Sequence, residues 1–147
     1  MKRVKIIALL LIMVMSCMLL LACGNKKIEL IEKIEDDYGK ICWFKYNVYE
    51  FISIGLAVCL AFDKKTNEVI EPQYVGYFDG FYADTTCTKG ETVNTERLLK
   101  GTTLYFKVEI DAQALATYKY KIIISYITIQ DKLDDKNNYQ TDEYWLN

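Results

Sequence analysis

The clearest pattern in the chain is an alternation of large and small side chains between Ile52 and Phe62. Successive side chains of a β-strand point to opposite faces, so this period of two predicts a strand with two different faces. We expect the large side chains to line the core, whereas the small face permits close approach by another layer or by neighbouring side chains. The large residues are Ile52, Ile54, Leu56, Val58, Leu60 and Phe62.

Further strands are predicted on the C-terminal side of this segment. Residues Thr103 to Asp111 alternate apolar and polar side chains, as a half-buried antiparallel strand does. Residues Tyr118 to Gln130 are rich in isoleucine and predict a long strand. Upstream of both, Asp79-Gly80 stands between two aromatic runs, which predicts a β-hairpin because both central positions of a type I′ turn need a positive φ.

The two ends of this region have different patterns. In residues 25–40, apolar side chains recur every three to four positions, which predicts a short amphipathic helix, with a charged tether as the alternative. Residues 131–147 are acidic and amide-rich and predict a polar tail, whose end, Tyr144 to Leu146, we expect to pack back onto the domain. The strands therefore define one domain, residues 41–130.

The fold class follows from the number and kind of these elements. Six or seven strands in about 90 residues, with antiparallel turn signals and no βαβ rhythm, predict an all-β protein, a single antiparallel β-sandwich. The corner at residues 115–118 is similar to the tyrosine corner of immunoglobulin-like folds, and Gly101 ahead of a strand is typical of such domains on bacterial surfaces. The chain departs from true immunoglobulin domains because Trp43 directly follows Cys42.

The first 22 residues have a different composition from the rest. Three basic residues come first, the almost wholly apolar segment Ile6 to Leu21 follows, and Ala22-Cys23 precedes a polar stretch. A charged start, an apolar centre and a small residue at the cleavage site form the pattern of a secretory signal peptide.

Leu20, Ala22 and Cys23 also resemble the lipobox of bacterial lipoproteins, although Leu21 is larger than the usual residue at its position. The resemblance implies a diacylglyceryl group on the Cys23 thiol, cleavage after Ala22, and a lipid-anchored domain on the extracytoplasmic face of a bacterial membrane. A lipobox ending at Cys17 is disfavoured because it would leave residues 18–21 exposed to water. An uncleaved anchor is disfavoured because about 17 apolar residues is the lower limit for spanning a bilayer.

Composition excludes several kinds of chemistry. The chain has no histidine, so it lacks Ser/His/Asp triads, Cys/His dyads and HExxH zinc sites. Without the three N-terminal basic residues, 15 Lys and Arg stand against 20 Asp and Glu, and this acidic balance argues against nucleic acid as a partner. We expect no catalytic residues, no cofactor and no metal site.

Three cysteines remain if Cys23 carries lipid. Cys42 with either Cys59 or Cys87 could form a disulfide, which export would permit. The favoured interpretation is three small buried thiols, because free cysteine is among the most buried residue types.

The aromatic run at residues 74–82 is the candidate ligand-binding feature, because aromatic faces stack on sugars and peptides. Cross-strand packing within a sheet is the favoured alternative. The spacing of the oxygen-rich cluster near Asp131 does not match the EF-hand calcium loop, and a solvated polar tail is the favoured interpretation. Asp79 with Asp84 gives weak support to a carboxylate-dependent hydrolase. The candidate aromatic residues are Tyr74, Tyr77, Phe78, Phe81 and Tyr82.

These observations favour a non-catalytic, lipid-anchored β-sandwich that binds a protein, a peptide or a component of the cell envelope. An envelope assembly factor, or an immunity or exclusion lipoprotein that blocks an incoming agent, is the alternative. The hydrolase is a third and weaker hypothesis.

Overall fold

A computed structural model describes residues 27–70, 80–87 and 92–146, together with the backbone of residues 77–78. Within this part of the chain, seven strands form two packed sheets, and two short helices lie in the connections between strands. This confirms the predicted all-β sandwich. The strands are β1 (Ile28–Asp36), β2 (Gly39–Asn47), β3 (Ile52–Asp63), β4 (Tyr77–Phe78), β5 (Thr103–Asp111), β6 (Tyr118–Thr128) and β7 (Gln140–Trp145). The helices are α1 (Ala112–Thr117) and α2 (Ile129–Leu133).

The strands are divided between a four-stranded sheet A, in the order β1-β2-β5-β4, and a three-stranded sheet B, in the order β3-β6-β7. Every pair of neighbouring strands is antiparallel. The seven-stranded immunoglobulin sandwich of the constant type divides its strands in the same way, with the first, second, fifth and fourth in one sheet and the third, sixth and seventh in the other. Helix α1 occupies the corner between β5 and β6, where the sequence resembles a tyrosine corner.

The core lies between the two sheets. In sheet A, the ring of Phe44 stacks on that of Phe106 with centroids 5.0 Å apart. Tyr144 of sheet B meets Phe44 edge-on at 5.2 Å, and Ile122 and Ile124 of β6 are fully buried. Aromatic pairs of this kind contribute beyond the area they bury, so the two layers are held together by specific contacts.

The predicted helix or tether in residues 25–40 is wrong for the described part of this segment. Residues Ile28 to Asp36 form strand β1, which pairs with β2 along its length. A β-bulge between Leu30 and Glu32 shifts the register by one residue. The bulge breaks the period of two and spaces the apolar residues as a helix would.

The predicted polar tail is also part of the sandwich. It contains α2 and then β7, which pairs with β6. The expected packing of the chain end is confirmed, because Leu146 is buried and Tyr144 packs against the core. Together with β1, this extends the folded domain beyond residues 41–130 at both ends.

The expected orientation of β3 is wrong beyond Gly55. The pairing with β6 shifts between Ile54 and Leu56, so Gly55 is an extra residue in this strand. After this bulge the small side chains point inward: Cys59 is fully buried, whereas Leu56 is 52% exposed. A bulge adds one residue and thereby exchanges the two faces of all that follows.

The predicted Asp79-Gly80 hairpin is absent from the strand pairing of the described residues. Phe78 pairs with Val108 of β5, and Tyr82 pairs with Tyr105 of the same strand. The chain therefore continues along β5 in one direction instead of turning back. Gly80 has a φ of +123°, a conformation that glycine adopts more readily than other residues.

Candidate interaction surface

The structure places part of the predicted aromatic site in the core. Phe81 and Tyr82 are 4% and 2% exposed, so neither presents a ring to a ligand. Phe81 meets Phe106 edge-on at 5.5 Å, and the backbone of Tyr82 is hydrogen-bonded to Tyr105 in both directions. This part of the prediction is wrong, because the edge segment of sheet A turns these rings inward. Tyr74, the side chains of Tyr77 and Phe78, and the lipid-site residues Cys17 and Cys23 lie outside the described residues.

A different apolar surface lies on the outer face of sheet B. The bulge at Gly55 turns the larger side chains of β3 outward, away from the core that receives Cys59 and Ala61. Neighbouring strands add one isoleucine and one tryptophan to the same face, as their register with β3 and β6 requires. We call this surface the apolar strip. It consists of Leu56, Val58, Leu60, Phe62, Ile123 and Trp145.

One end of the apolar strip is built around Trp145, which is 44% exposed. Its ring lies 5.1 Å from that of Phe62, which extends the apolar surface from β3 across the sheet. The ammonium groups of Lys119 and Lys121 lie 5.3 and 5.1 Å from the centre of the Trp145 ring. Lys121 is also paired with Glu143 at 2.7 Å. The tryptophan is thus held among charged groups, in the arrangement of a polar rim around an apolar centre.

The other end of the apolar strip is built around Gly55. A Cβ added there would lie 2.8 Å from the ring of Tyr139, which packs directly on the backbone of the bulge. A larger residue at this position would therefore displace the exposed ring of Tyr139. An isolated glycine inside a strand pattern is a recognised indication of a bulge, and it is the signal that could have located the apolar strip from sequence.

A polar cluster joins the two sheets at the end of the sandwich where β1 begins. The Tyr46 hydroxyl donates to the Asp142 carboxylate at 2.6 Å. The pKa of Tyr46 is raised, mainly because the side chain is buried. Lys27 pairs with Asp142 at 3.7 Å and donates to the Tyr126 hydroxyl, which in turn donates to Gln140 at 2.7 Å. Each member has a partner within the cluster, which indicates a structural role.

Beside this cluster, an open groove of about 620 Å³ runs between strands β1 and β7. Residues 27–30 and 142–144 line it. Both strands are edges of their sheets in the described structure, and a free edge can accept an added strand. The charged residues and the bulge of β1 are features that prevent such pairing. The apolar strip is therefore the stronger candidate for a binding surface.

The three cysteines are buried and unpaired, which confirms the favoured interpretation. Burial raises the pKa of all three thiols, and that of Cys59 rises to about 12 because of burial first and the neighbouring Cys42 second. A thiol in this state is protonated at neutral pH, and the thiolate is the reactive form. None of the three is thus suited to be a nucleophile.

The carboxylates considered for metal or hydrolytic chemistry have local structural partners. Asp84 accepts hydrogen bonds from the backbone and hydroxyl of Thr86, at 3.1 and 2.6 Å. Asp134 accepts from Gln130 at 3.0 Å. Across the part of the chain that the structure describes, no group of three or more His, Cys, Asp or Glu side chains is arranged to hold a metal ion.

Comparison with known proteins adds no assignment: no family model, curated protein or solved structure matches the chain. Among the described residues, no helix has the length and apolar character needed to cross a membrane.

Proposed function

We propose that this chain is an exported lipoprotein, anchored through Cys23, whose immunoglobulin-like sandwich binds a protein partner through the apolar strip. The observation that carries the binding role is the outward orientation of four large side chains at alternate positions of β3, from Leu56 to Phe62. An apolar surface of this kind, rimmed by charges, is typical of protein interaction sites.

The shape and chemistry of the apolar strip favour a protein over a carbohydrate. Its centre is aliphatic, at Val58 and Leu60, and the sheet presents it as a broad face. Carbohydrate sites rely on aromatic faces surrounded by hydrogen-bonding groups, whereas protein partners bury aliphatic and aromatic side chains together. Trp145 is the expected anchor residue, because tryptophan is enriched among the residues that dominate binding energy.

The proposed lipid anchor at Cys23 is supported by the N-terminal sequence. The basic start, the apolar segment and the Leu20-Leu21-Ala22-Cys23 run support export followed by lipid attachment. Replacing Cys23 with alanine is expected to abolish incorporation of labelled fatty acid and to leave the chain misprocessed or released. Continued labelling of the Cys23→Ala variant would assign the lipid to Cys17 instead.

Site-specific photo-cross-linking in the producing cells tests the binding role. A photoreactive phenylalanine analogue at Leu56, in the apolar strip, is compared with the same analogue at Glu32, an exposed position on strand β1 of the other sheet. We expect one discrete adduct from position 56 and none of the same mass from position 32. Mass spectrometry of the adduct would identify the partner and separate a general binding role from assembly or immunity.

A second substitution makes the test specific to the apolar strip. Leu60→Arg places a charge four residues further along β3 on the same face and should abolish the adduct formed at position 56. The level of the chain and its circular dichroism serve as the control for folding. An adduct that persists at full yield in the Leu60→Arg variant would contradict the proposed surface.

A further inference from the structure

We infer that one end of the sandwich, which we call the loop end, rests on the lipid bilayer with apolar side chains in the interface. The loop end consists of the connections 48–51, 98–102 and 129–139. This inference rests on the proposed lipid anchor and goes beyond it, because it assigns an orientation and a second membrane contact to the folded domain.

The first observation is where the chain from the anchor enters the domain. Cys23 is four residues from Lys27, whose carbonyl oxygen accepts a hydrogen bond from Asn47 at 2.8 Å. Four residues span at most about 14 Å even when fully extended. Lys27, which lies beside the end of β2 and therefore at the loop end, is thereby held within that distance of Cys23.

The second observation is the exposed apolar character of the loop end. Leu99 is 65% exposed, Leu133 is 69% exposed, and Phe51 is 42% exposed. These three side chains come from three different connections, and each lies where a strand or helix ends. Large apolar residues at such exposed tips are unfavourable in water and favourable in the interfacial layer of a membrane.

The third observation is that the three connections form one hydrogen-bonded platform. The backbone of Val48 is bonded to Gly101 and Thr102, at 2.8 and 2.9 Å. The carbonyl oxygen of Phe51 accepts from the backbone of Ile129 at 2.9 Å, which attaches α2 to the same unit. The connections that carry the apolar side chains are thus joined by backbone hydrogen bonds.

The charges at the loop end identify the kind of membrane contact. Lys100, Lys132 and Lys136 are exposed there, but so are Glu50, Asp134 and Asp135. The mixture gives no strong attraction to anionic lipid. The contact is therefore apolar, and a short tether makes weak apolar contacts sufficient because it keeps the local lipid concentration high. We expect it to be insensitive to the lipid headgroup charge.

Fluorescence quenching by lipids tests the orientation. The full-length chain, produced in a bacterium that attaches lipid to such proteins, carries an environment-sensitive dye on Leu99→Cys and is reconstituted into phosphatidylcholine vesicles. The matched control carries the same dye on Lys65→Cys, an exposed position at the opposite end, in the turn after β3. The native cysteines in the described residues are buried and do not compete for the dye.

With a nitroxide placed near the headgroup end of the acyl chain, we expect at least twofold quenching at position 99 and none at position 65. The ratio should remain unchanged when anionic lipid is added. Equal quenching at the two positions, or no quenching at position 99 in vesicle-bound protein, would overturn the orientation. The mass of the N-terminal peptide from the same sample distinguishes the two proposals: an unlipidated Cys23 refutes the anchor, whereas a lipidated Cys23 without quenching refutes only the orientation.

Discussion

The reversed orientation of β3 makes a quantitative prediction about core stability. Leu56 is 52% exposed, so truncation to alanine removes only about half of the burial that a core leucine would lose. Full burial of a leucine contributes about 1.5–3 kcal/mol, and Leu56→Ala should therefore lower the free energy of unfolding by about 0.75–1.5 kcal/mol. Ile122→Ala, at a fully buried position of β6, should lower it by about 3 kcal/mol or more.

Urea denaturation of residues 24–147, followed by circular dichroism, measures both changes. A slope of about 1.5 kcal/mol per molar urea converts the expected losses into midpoint shifts of roughly 2 M for Ile122→Ala and about 0.5–1 M for Leu56→Ala. The opposite face of β3 supplies a converse test: Cys59→Leu should cost about 1–3 kcal/mol because the site is already filled. Equal losses at Leu56 and Ile122, or a neutral Cys59→Leu, would refute the assigned faces.

Three further predictions concern other parts of the fold. Gly39→Ala should destabilise the domain by about 3 kcal/mol or more, because the added Cβ would lie 2.2 Å from a carbonyl oxygen of β5. The control Gly101→Ala, whose added Cβ has nothing within 4 Å, should cost only about 1 kcal/mol of backbone strain. Equal losses of stability for the two variants in thermal unfolding would contradict this difference. Tyr46→Phe should cost about 1.5–3 kcal/mol by removing the hydrogen bond to Asp142, and an unchanged unfolding midpoint would show that this link between the sheets is dispensable. Because the pKa of Cys59 rises from 9.0 to about 12 on folding, its contribution to stability should be complete below pH 9 and decline between pH 9 and 12, a slope that Cys59→Ala should reduce.

The sequence was sufficient for the fold class because the strands of the core follow a regular period. β5 and β6 alternate or carry runs of isoleucine over their whole length, and both were located correctly. Their pattern reflects burial on one face, which is the strongest constraint on a strand. The strand order could not be derived in this way, because it depends on contacts between residues far apart in the chain.

Two of the errors have a common physical origin in β-bulges. Bulges lie at Gly55 and between Leu30 and Glu32. Each adds one residue to a strand, and periodicity read through a bulge assigns later side chains to the wrong face or the wrong element. In this chain the apolar strip exists because of such a bulge.

The edge elements were missed for a different reason. Strand β7 is largely polar and exposed. Within the described residues it pairs with a strand on one side only, so most of its side chains face water and its composition is that of a polar tail. Strand β1 is rich in charged residues for the same reason. Edge strands commonly carry charges that prevent association, and this weakens the pattern by which a strand is recognised.

The proposed anchoring of the chain is tested most directly by mass spectrometry of its mature N-terminal peptide, extracted from the membrane fraction of a bacterium that expresses the full chain. We predict a peptide that begins at Cys23 and carries a diacylglyceryl group on the thiol. A peptide that retains residues 1–22, or one that begins at Cys23 without lipid, would contradict the proposed anchor.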